Sequence, residues 1–104
     1  MESADAQSHG HSFIVYIVRC SDGSFYVGHT HDVDERVQAH NDGLGAAWTA
    51  ARRPVVLLYQ EHYPTKAEAV ARERQLKGWS SRKKLALIEN DTRTLKALAR
   101  RRVR

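Results

Sequence analysis

Apolar positions fall in short groups whose spacing changes along the chain. Phe13-Ile-Val-Tyr-Ile-Val18 is a continuous run rich in β-branched and aromatic residues. It is too short for a helix of its own, and turn residues follow it, so it predicts a well-buried strand. Ser21-Asp22-Gly23-Ser24 predicts a hairpin, because Asp-Gly supports the positive φ of tight turns. Phe25–Thr30 returns as the second strand, with Gly28 allowing close backbone approach or a bulge. Asp32, with Glu35 three residues on, reads as the N-cap of a helix running to about Asn41, stopped by Asp42-Gly43. Residues 43–54 read as a loop. Val55–Tyr59 is a third strand, extending to about Tyr63. Thr65 and Glu68 stand at capping-box spacing for a helix to Lys77, which Gly78 ends. Ser80 or Ser81 caps another helix through about Glu89. Arg93–Arg104 uses helix formers but holds six basic side chains and no acidic one, as a frayed helix or a disordered basic tail would.

The order is therefore β-β-α-β-α-α: an α/β (α+β) domain over residues 13–90, a flexible leader over 1–12 and a basic tail over 91–104. With 104 residues, 41% hydrophobic and 28% charged, one small globular domain is the expectation. No apolar run approaches the roughly 20 residues of a spanning helix. Cys20 is the lone cysteine, which excludes a disulfide framework and a cysteine zinc site within the chain, and no disulfide-linked partner is expected. The polar amino terminus has no signal-peptide pattern, so the cytoplasm is the expected compartment.

Periodicity turns up a chemical anomaly. Val33, Arg36, Val37 and His40 share one helical face, and two valines aim that face inward. Burying an unpaired arginine is costly. A salt bridge with a snorkelling head group is the plain alternative. The next long helix repeats the pattern, with Glu73 in a stripe of Ala69, Val70 and Leu76. Glu73 either pairs with Arg36 or Arg72, or serves as ligand for a hard cation such as Mg²⁺. The strands add Tyr16 and Tyr26, each commonly a core aromatic. Together Tyr16, Tyr26, Arg36, His40 and Glu73 offer a metal ligand, a guanidinium for phosphate oxygens and groups that move protons. Cys20 lacks a matching base. The set suits metal-assisted attack of water on a phosphodiester better than covalent catalysis.

Ile14-Val-Tyr16, then Tyr26-Val-Gly28, Arg36, His40 and Glu73 in that order, resembles the GIY-YIG nuclease family. Tyr-Ile-Val-Arg-Cys-Ser-Asp-Gly-Ser, the Gly45–Pro54 loop and Gln75-Leu-Lys-Gly-Trp79 resemble its small stand-alone bacterial members, the UPF0213 group. The resemblance covers about residues 13–88. It implies a small three-stranded antiparallel sheet flanked by helices, with one divalent metal, Mg²⁺ or Mn²⁺, on Glu73. It also implies that Tyr16 helps deprotonate water, Tyr26 and Arg36 hold the phosphate, and His40 assists with the proton or the phosphate. Ile14 stands where the family name has its first glycine. The family's late asparagine has Asn41 and Asn90 as candidates here.

One geometric requirement follows. A two- or four-residue hairpin loop would put Tyr16 and Tyr26 on opposite sheet faces. Shared chemistry needs an odd-length loop or a bulge, with Gly23 at positive φ. Trp48, Thr49, Arg52 and Arg53 stand as a possible phosphate path. Lys77, Arg82, Lys83 and Lys84 extend it, and Arg100, Arg101, Arg102 and Arg104 add charge. The plain alternative is loop or core packing for Trp48 and Trp79, and a solvated face for the lysines.

The leading reading is a metal-dependent endonuclease acting on DNA of structured or damaged form in repair or recombination, with room for a targeting protein partner. The alternatives are a non-catalytic nucleic-acid-binding module and a structural adaptor with an Arg36–Glu73 core ion pair. Residues 1–90 hold eleven basic and eleven acidic side chains, so the whole net charge of +5 lies after Asn90. The tail then acts as an electrostatic grip. Deleting residues 92–104 is expected to weaken DNA binding and flatten its salt dependence, by about 0.9 in slope for each phosphate the tail would otherwise neutralise. Cleavage at saturating DNA should persist. Loss of that cleavage with the fold intact would overturn this division of labour.

Overall fold

The computed structural model describes residues 12–103. Three strands, β1 (Phe13–Arg19), β2 (Phe25–Thr30) and β3 (Val56–Tyr63), form one antiparallel sheet in the order β2-β1-β3. Helix α1 (Val33–Asn41) and the short α2 (Ala47–Ala50) lie between β2 and β3. Helices α3 (Lys66–Lys77), α4 (Ser81–Ile88) and α5 (Thr92–Val103) follow. The two hairpin strands, the third strand and helices α1, α3 and α4 fall where the periodicity puts them. The expected 43–54 loop contains α2, which no capping side chain announces. The tail backbone is helical through Val103.

β1 is central and buried on both faces, which is why its sequence reads as an unbroken apolar run. One face carries Val15 and Ile17, which pack with Val27, Ala69 and Leu76 under α3, flanked by Tyr59, Trp79 and Leu87. The other carries Tyr16 and Val18, packed with Cys20 and Val55 and flanked by Val33 and Val37 of α1. Register against β3 shifts between Ile17 and Val18, which oppose Tyr59 and Leu57. Leu58 is the extra residue of this bulge, and it lets Leu57 join the α1 side while Tyr59 faces α3.

The hairpin has an odd loop. Arg19 pairs with Phe25, leaving residues 20–24 to turn, with Gly23 at φ +87°. Tyr16 pairs with Gly28 and Val18 with Tyr26, so both tyrosines project from the face that carries α1.

Capping follows the sequence. Asp32 accepts the Glu35 N–H, Thr65 the Glu68 N–H and Ser80 the Lys83 N–H. Asn90 (φ +59°) closes α4, with the Asp91 N–H on the Ala86 carbonyl and the Asn90 N–H on that of Leu87. Asp91 then caps α5 through the Thr94 N–H. Arg104 lies outside the described residues, and so do the side chains of Arg100, Arg101 and Arg102. Because α5 packs on α4, changing the tail arginines to glutamine separates charge from packing better than truncation does.

Leu76 is fully buried beneath the sheet. Leu76→Ala is expected to cost about 2–5 kcal/mol, the usual range for a buried leucine cavity, read as a lower denaturant midpoint. A cost below about 1 kcal/mol would mean that α3 packs more loosely than it does here.

Candidate active site

A cleft of about 260 Å³ opens at the β2 side of the sheet, where β2 forms an edge. Tyr16, Tyr26 and Gly28 of the strands line it, with Arg36 and His40 of α1, Gly45 and Ala46 before α2, and Glu73 of α3. His29, on the opposite face of β2, completes the wall. Arg36 and His40 reach the cleft because the valine pair of α1 packs on the sheet beside them. Glu73 belongs to the helix on the far face and reaches the cleft past the β2 edge.

Two glycines clear space for the central pair of side chains. A Cβ on Gly28 would come within 2.5 Å of the Tyr16 hydroxyl, and one on Gly45 within 2.3 Å of His40 Nδ1. Tyr16 Oη therefore sits 2.8 Å from His40 Nε2, and His40 Nδ1 sits 2.8 Å from Thr49 Oγ1. The Thr49 hydroxyl donates to the Ala46 carbonyl at 2.9 Å. His40 is 1% exposed and Thr49 fully buried. Burial, reinforced by the Arg36 charge, holds the imidazole pKa below its ordinary value. Burial, with the Tyr26 and Glu73 charges, pushes the Tyr16 phenol well above the usual tyrosine range, and Arg36 opposes it. Tyr16 is thus a neutral phenol aimed at a neutral imidazole.

Tyr26 stands edge-on to His40 at 5.2 Å between centroids and stacks on Trp48 at 6.1 Å. The Arg52 guanidinium lies 4.0 Å over the Trp48 ring, tied to Asp22 and to the Trp48 carbonyl. Arg36 Nε is buried with no hydrogen-bond partner. The Glu73 carboxylate takes the His29 Nδ1 on one oxygen and the Lys77 ammonium, at 2.7 Å, on the other. Burial alone would raise the Glu73 pKa, but Lys77 and His29 outweigh it and hold the carboxyl below its ordinary range. Neither Arg36 nor Arg72 is the partner of Glu73. Arg72 forks onto both oxygens of Glu61 at 2.9 and 3.0 Å, and Tyr59 and Tyr63 donate to the same carboxylate. The core Arg36–Glu73 ion pair of the adaptor reading is therefore not present.

Comparison with known proteins meets this geometry. A family model described as the GIY-YIG catalytic domain matches residues 12–86. The chain belongs to the GIY-YIG family. That family is one of nucleases, and the close relatives of this GIY-YIG chain bear the name UPF0213. One from Staphylococcus aureus (strain Mu3 / ATCC 700698) is 55% identical over 78 residues, covering 75% of this chain and 95% of the relative. A solution structure of a protein from E. faecalis is 35% identical with a TM-score of 0.55, over 78% of this chain and 86% of that one. A UPF0213 protein from Bacillus halodurans is 42% identical with a TM-score of 0.49, over 75% and 83%.

The five residues of the GIY-YIG pattern, Tyr16, Tyr26, Arg36, His40 and Glu73, thus share one cleft. The residues expected along a phosphate path divide. Arg53 and Arg82 are exposed, and Trp48 is 39% exposed. Lys77 is exposed but bound to Glu73, and Lys84 is half-buried, its pKa lowered by that burial. Thr49 is not a surface contact, because its side chain is wholly enclosed and its hydroxyl is committed to His40 and Ala46. Lys83 is likewise buried, its ammonium 4.1 Å over the Trp79 ring, so it packs rather than facing a nucleic acid. Trp79 lies against the core, its plain alternative. The asparagine candidates lie elsewhere: the Asn41 amide pairs with both backbone groups of Val55, and Asn90 ends α4. His29 is a site residue that the sequence pattern does not single out. Its one signal is an imidazole beside Gly28 in a strand that otherwise carries no histidine, carboxylate or basic side chain. Cys20 is buried, and burial raises its thiol pKa, which removes it as a nucleophile. Among the described residues no helix is long and apolar enough to cross a membrane.

His40 and the carboxylates make acid sensitivity a test of this arrangement. A histidine held neutral in the fold supports stability fully above the unfolded value of 6.5, and that support is lost as pH falls toward the lower folded value. Glu61 and Glu73 add a second loss as pH falls below 4.5 toward their lowered folded values. Unfolding free energy is expected to drop in two stages on acidification, and His40→Gln should remove the first. A wild-type profile flat between pH 6.5 and 4.5 would contradict the buried neutral imidazole.

Proposed function

We propose that this chain is a metal-dependent endonuclease that hydrolyses phosphodiester bonds of structured or damaged DNA, acting in the cytoplasm in repair or recombination. One observation carries the reading. The Arg36 guanidinium enters the cleft with a buried Nε that nothing in the protein satisfies. A buried donor left unpaired costs about 1–3 kcal/mol, and more when charged. A phosphodiester drawn against the guanidinium would offset that cost by neutralising its charge and offering oxygen acceptors to its other nitrogens.

The donor chemistry of the cleft fits a hard divalent cation. Glu73 is kept ionised and lines the same wall as the phenolic oxygens of Tyr16 and Tyr26. No group of three or more His, Cys, Asp or Glu assembles among the described residues. One carboxylate, with water and substrate oxygens completing the shell, is a common way to hold Mg²⁺, and Mn²⁺ fits the same donors. Glu73 would hold the cation, exchanging one of its two present partners for it. When bound, such a cation polarises the phosphate and lowers the proton affinity of the attacking water.

The chain's own residues then divide the work. Tyr16 accepts a proton from the attacking water as its own hydroxyl proton passes to His40 Nε2. The imidazole, neutral beforehand, is free to take it. Arg36, with the Tyr26 hydroxyl, orients the phosphate and offsets the charge that builds on its oxygens. Trp48, Arg52, Arg53, Lys77, Arg82 and Lys84 with the tail arginines form the nucleic-acid path, and a partner protein supplies targeting. A binding module without chemistry has no use for a buried phenol–imidazole pair or an inward carboxylate.

Branched, flapped and linear DNA with Mg²⁺ or Mn²⁺, against chelator controls, tests the reading. Cleavage should require the cation. Glu73→Gln and Arg36→Ala should each lower the single-turnover rate by about 10²-fold or more while leaving the fold intact. Tight, salt-sensitive binding with no cleavage of any substrate would favour the binding module instead.

A further inference from the structure

We propose that Thr49 is a positioning residue that fixes the protonation pattern of the His40 ring, placing the N–H on Nδ1 and the lone pair on Nε2, toward Tyr16. The kinetic consequence rests on the hydrolytic reading of the cleft, whereas the protonation pattern belongs to the resting protein.

The argument is one of donors and acceptors. The Ala46 carbonyl, 2.9 Å from Thr49 Oγ1, can only accept, so the threonine proton points to it. Oγ1 then offers only lone pairs to His40 Nδ1 at 2.8 Å, so Nδ1 carries a hydrogen. A neutral imidazole has one N–H. Nε2 is therefore an acceptor, and the Tyr16 hydroxyl, 2.8 Å away, donates to it. The opposite tautomer would break the Thr49–Ala46 bond and turn Nε2–H against the phenol. Tyr16 could then hand no proton to His40.

Nothing else can take over from Thr49. Its side chain is fully enclosed and His40 is 1% exposed, so no solvent reaches Nδ1. The Gly45 backbone closes that edge of the ring, since even a Cβ there would lie 2.3 Å from Nδ1. Ala46 is held in turn by the Ala50 N–H, 3.0 Å from the same carbonyl. The short helix α2 thus acts as a bracket for one imidazole nitrogen. Its sequence position beside Trp48 and Arg52 disguises it as part of the surface.

The test uses the full chain labelled with ¹⁵N. Long-range ¹H–¹⁵N spectra of wild type should show His40 with Nδ1 protonated and Nε2 bare. Thr49→Val removes the hydroxyl at constant shape and should shift the ring toward the Nε2–H form. Thr49→Ser should restore the wild-type pattern. Thr49→Ala gives the same shift without added bulk should valine disturb the fold. On DNA with Mg²⁺, kcat should fall about 10²-fold in the valine variant with KM unchanged, and recover in the serine variant. A wild-type His40 protonated on Nε2, or a Thr49→Val ring that keeps the wild-type tautomer, overturns the proposal. A wild-type chain that cleaves no DNA but shows the expected tautomer and its shift overturns the hydrolytic reading alone and upholds the role of Thr49 on the ring.

Discussion

Five residues turn the first hairpin, and their odd number decides which side chains can meet. Arg19 opposite Phe25 carries Tyr16, Val18, Tyr26 and Gly28 to one face. One residue fewer would send Tyr26 to the α3 side and put a sheet between the two phenols. The register is not left to the turn alone. β1 is buried on both faces, so a one-residue slip would drive Val15 and Ile17 into the α1 cluster and Tyr16 into the α3 cluster. The exchange would also bury the Tyr16 hydroxyl in the apolar α3 layer, away from its His40 partner. The bulge at Leu58 enforces the same partition from the β3 side. Core packing and site geometry are therefore one constraint: whatever holds the two hydrophobic layers apart also holds the two tyrosines together.

That constraint makes room for a polar chain in an otherwise apolar layer. Tyr16, His40, Thr49 and the Ala46 carbonyl are each satisfied by the next. Fully satisfied buried networks are tolerated because the low dielectric strengthens every bond in them. Arg36 stands in contrast. The fold meets every hydrogen-bond need of His40, with two glycines admitting the rings, yet it leaves the buried Arg36 Nε without a partner. Buried unpaired donors are uncommon in folded proteins. On the proposed reading, such a site has its proton acceptor complete and leaves its guanidinium to be neutralised by a substrate phosphate.

Much of this is legible in the chain because local rules carry it. Asp32, Thr65 and Ser80 announce their helices, and the two valines of α1 turn Arg36 and His40 inward. What stays hidden depends on contacts between distant segments. His29 alternates away from the tyrosines, and its partner Glu73 lies 44 residues later on the opposite layer. Thr49 reads as a surface residue because Trp48 and Arg52 surround it in sequence. Its burial depends on α2, a four-residue helix whose N-cap is Ala46, with no side-chain cap to signal it. Glu73 is readable as an inward carboxylate, but its partners are not. Arg72, the neighbour nearest in sequence, is claimed by Glu61 across the core.

Charge is the property for which the whole-chain sum misleads most. Residues 1–90 balance, and the excess lies in the tail. Electrostatic influence through salt water fades within about 8–10 Å, so the tail adds little to the potential inside the cleft unless it lies against it. The field that a phosphate would meet is set locally. Arg36 lines the cleft with one carboxylate, Glu73, while Lys77 pairs with that carboxylate and stands 6.0 Å over the Tyr26 ring. Arg36 and Glu73 lie in a partly buried cleft, where their interactions are screened less than on the surface. A neutral domain can therefore present a positive site. On the proposed reading the tail would govern encounter and affinity, whereas Arg36, Lys77 and Glu73 would govern what happens to the phosphate once it arrives.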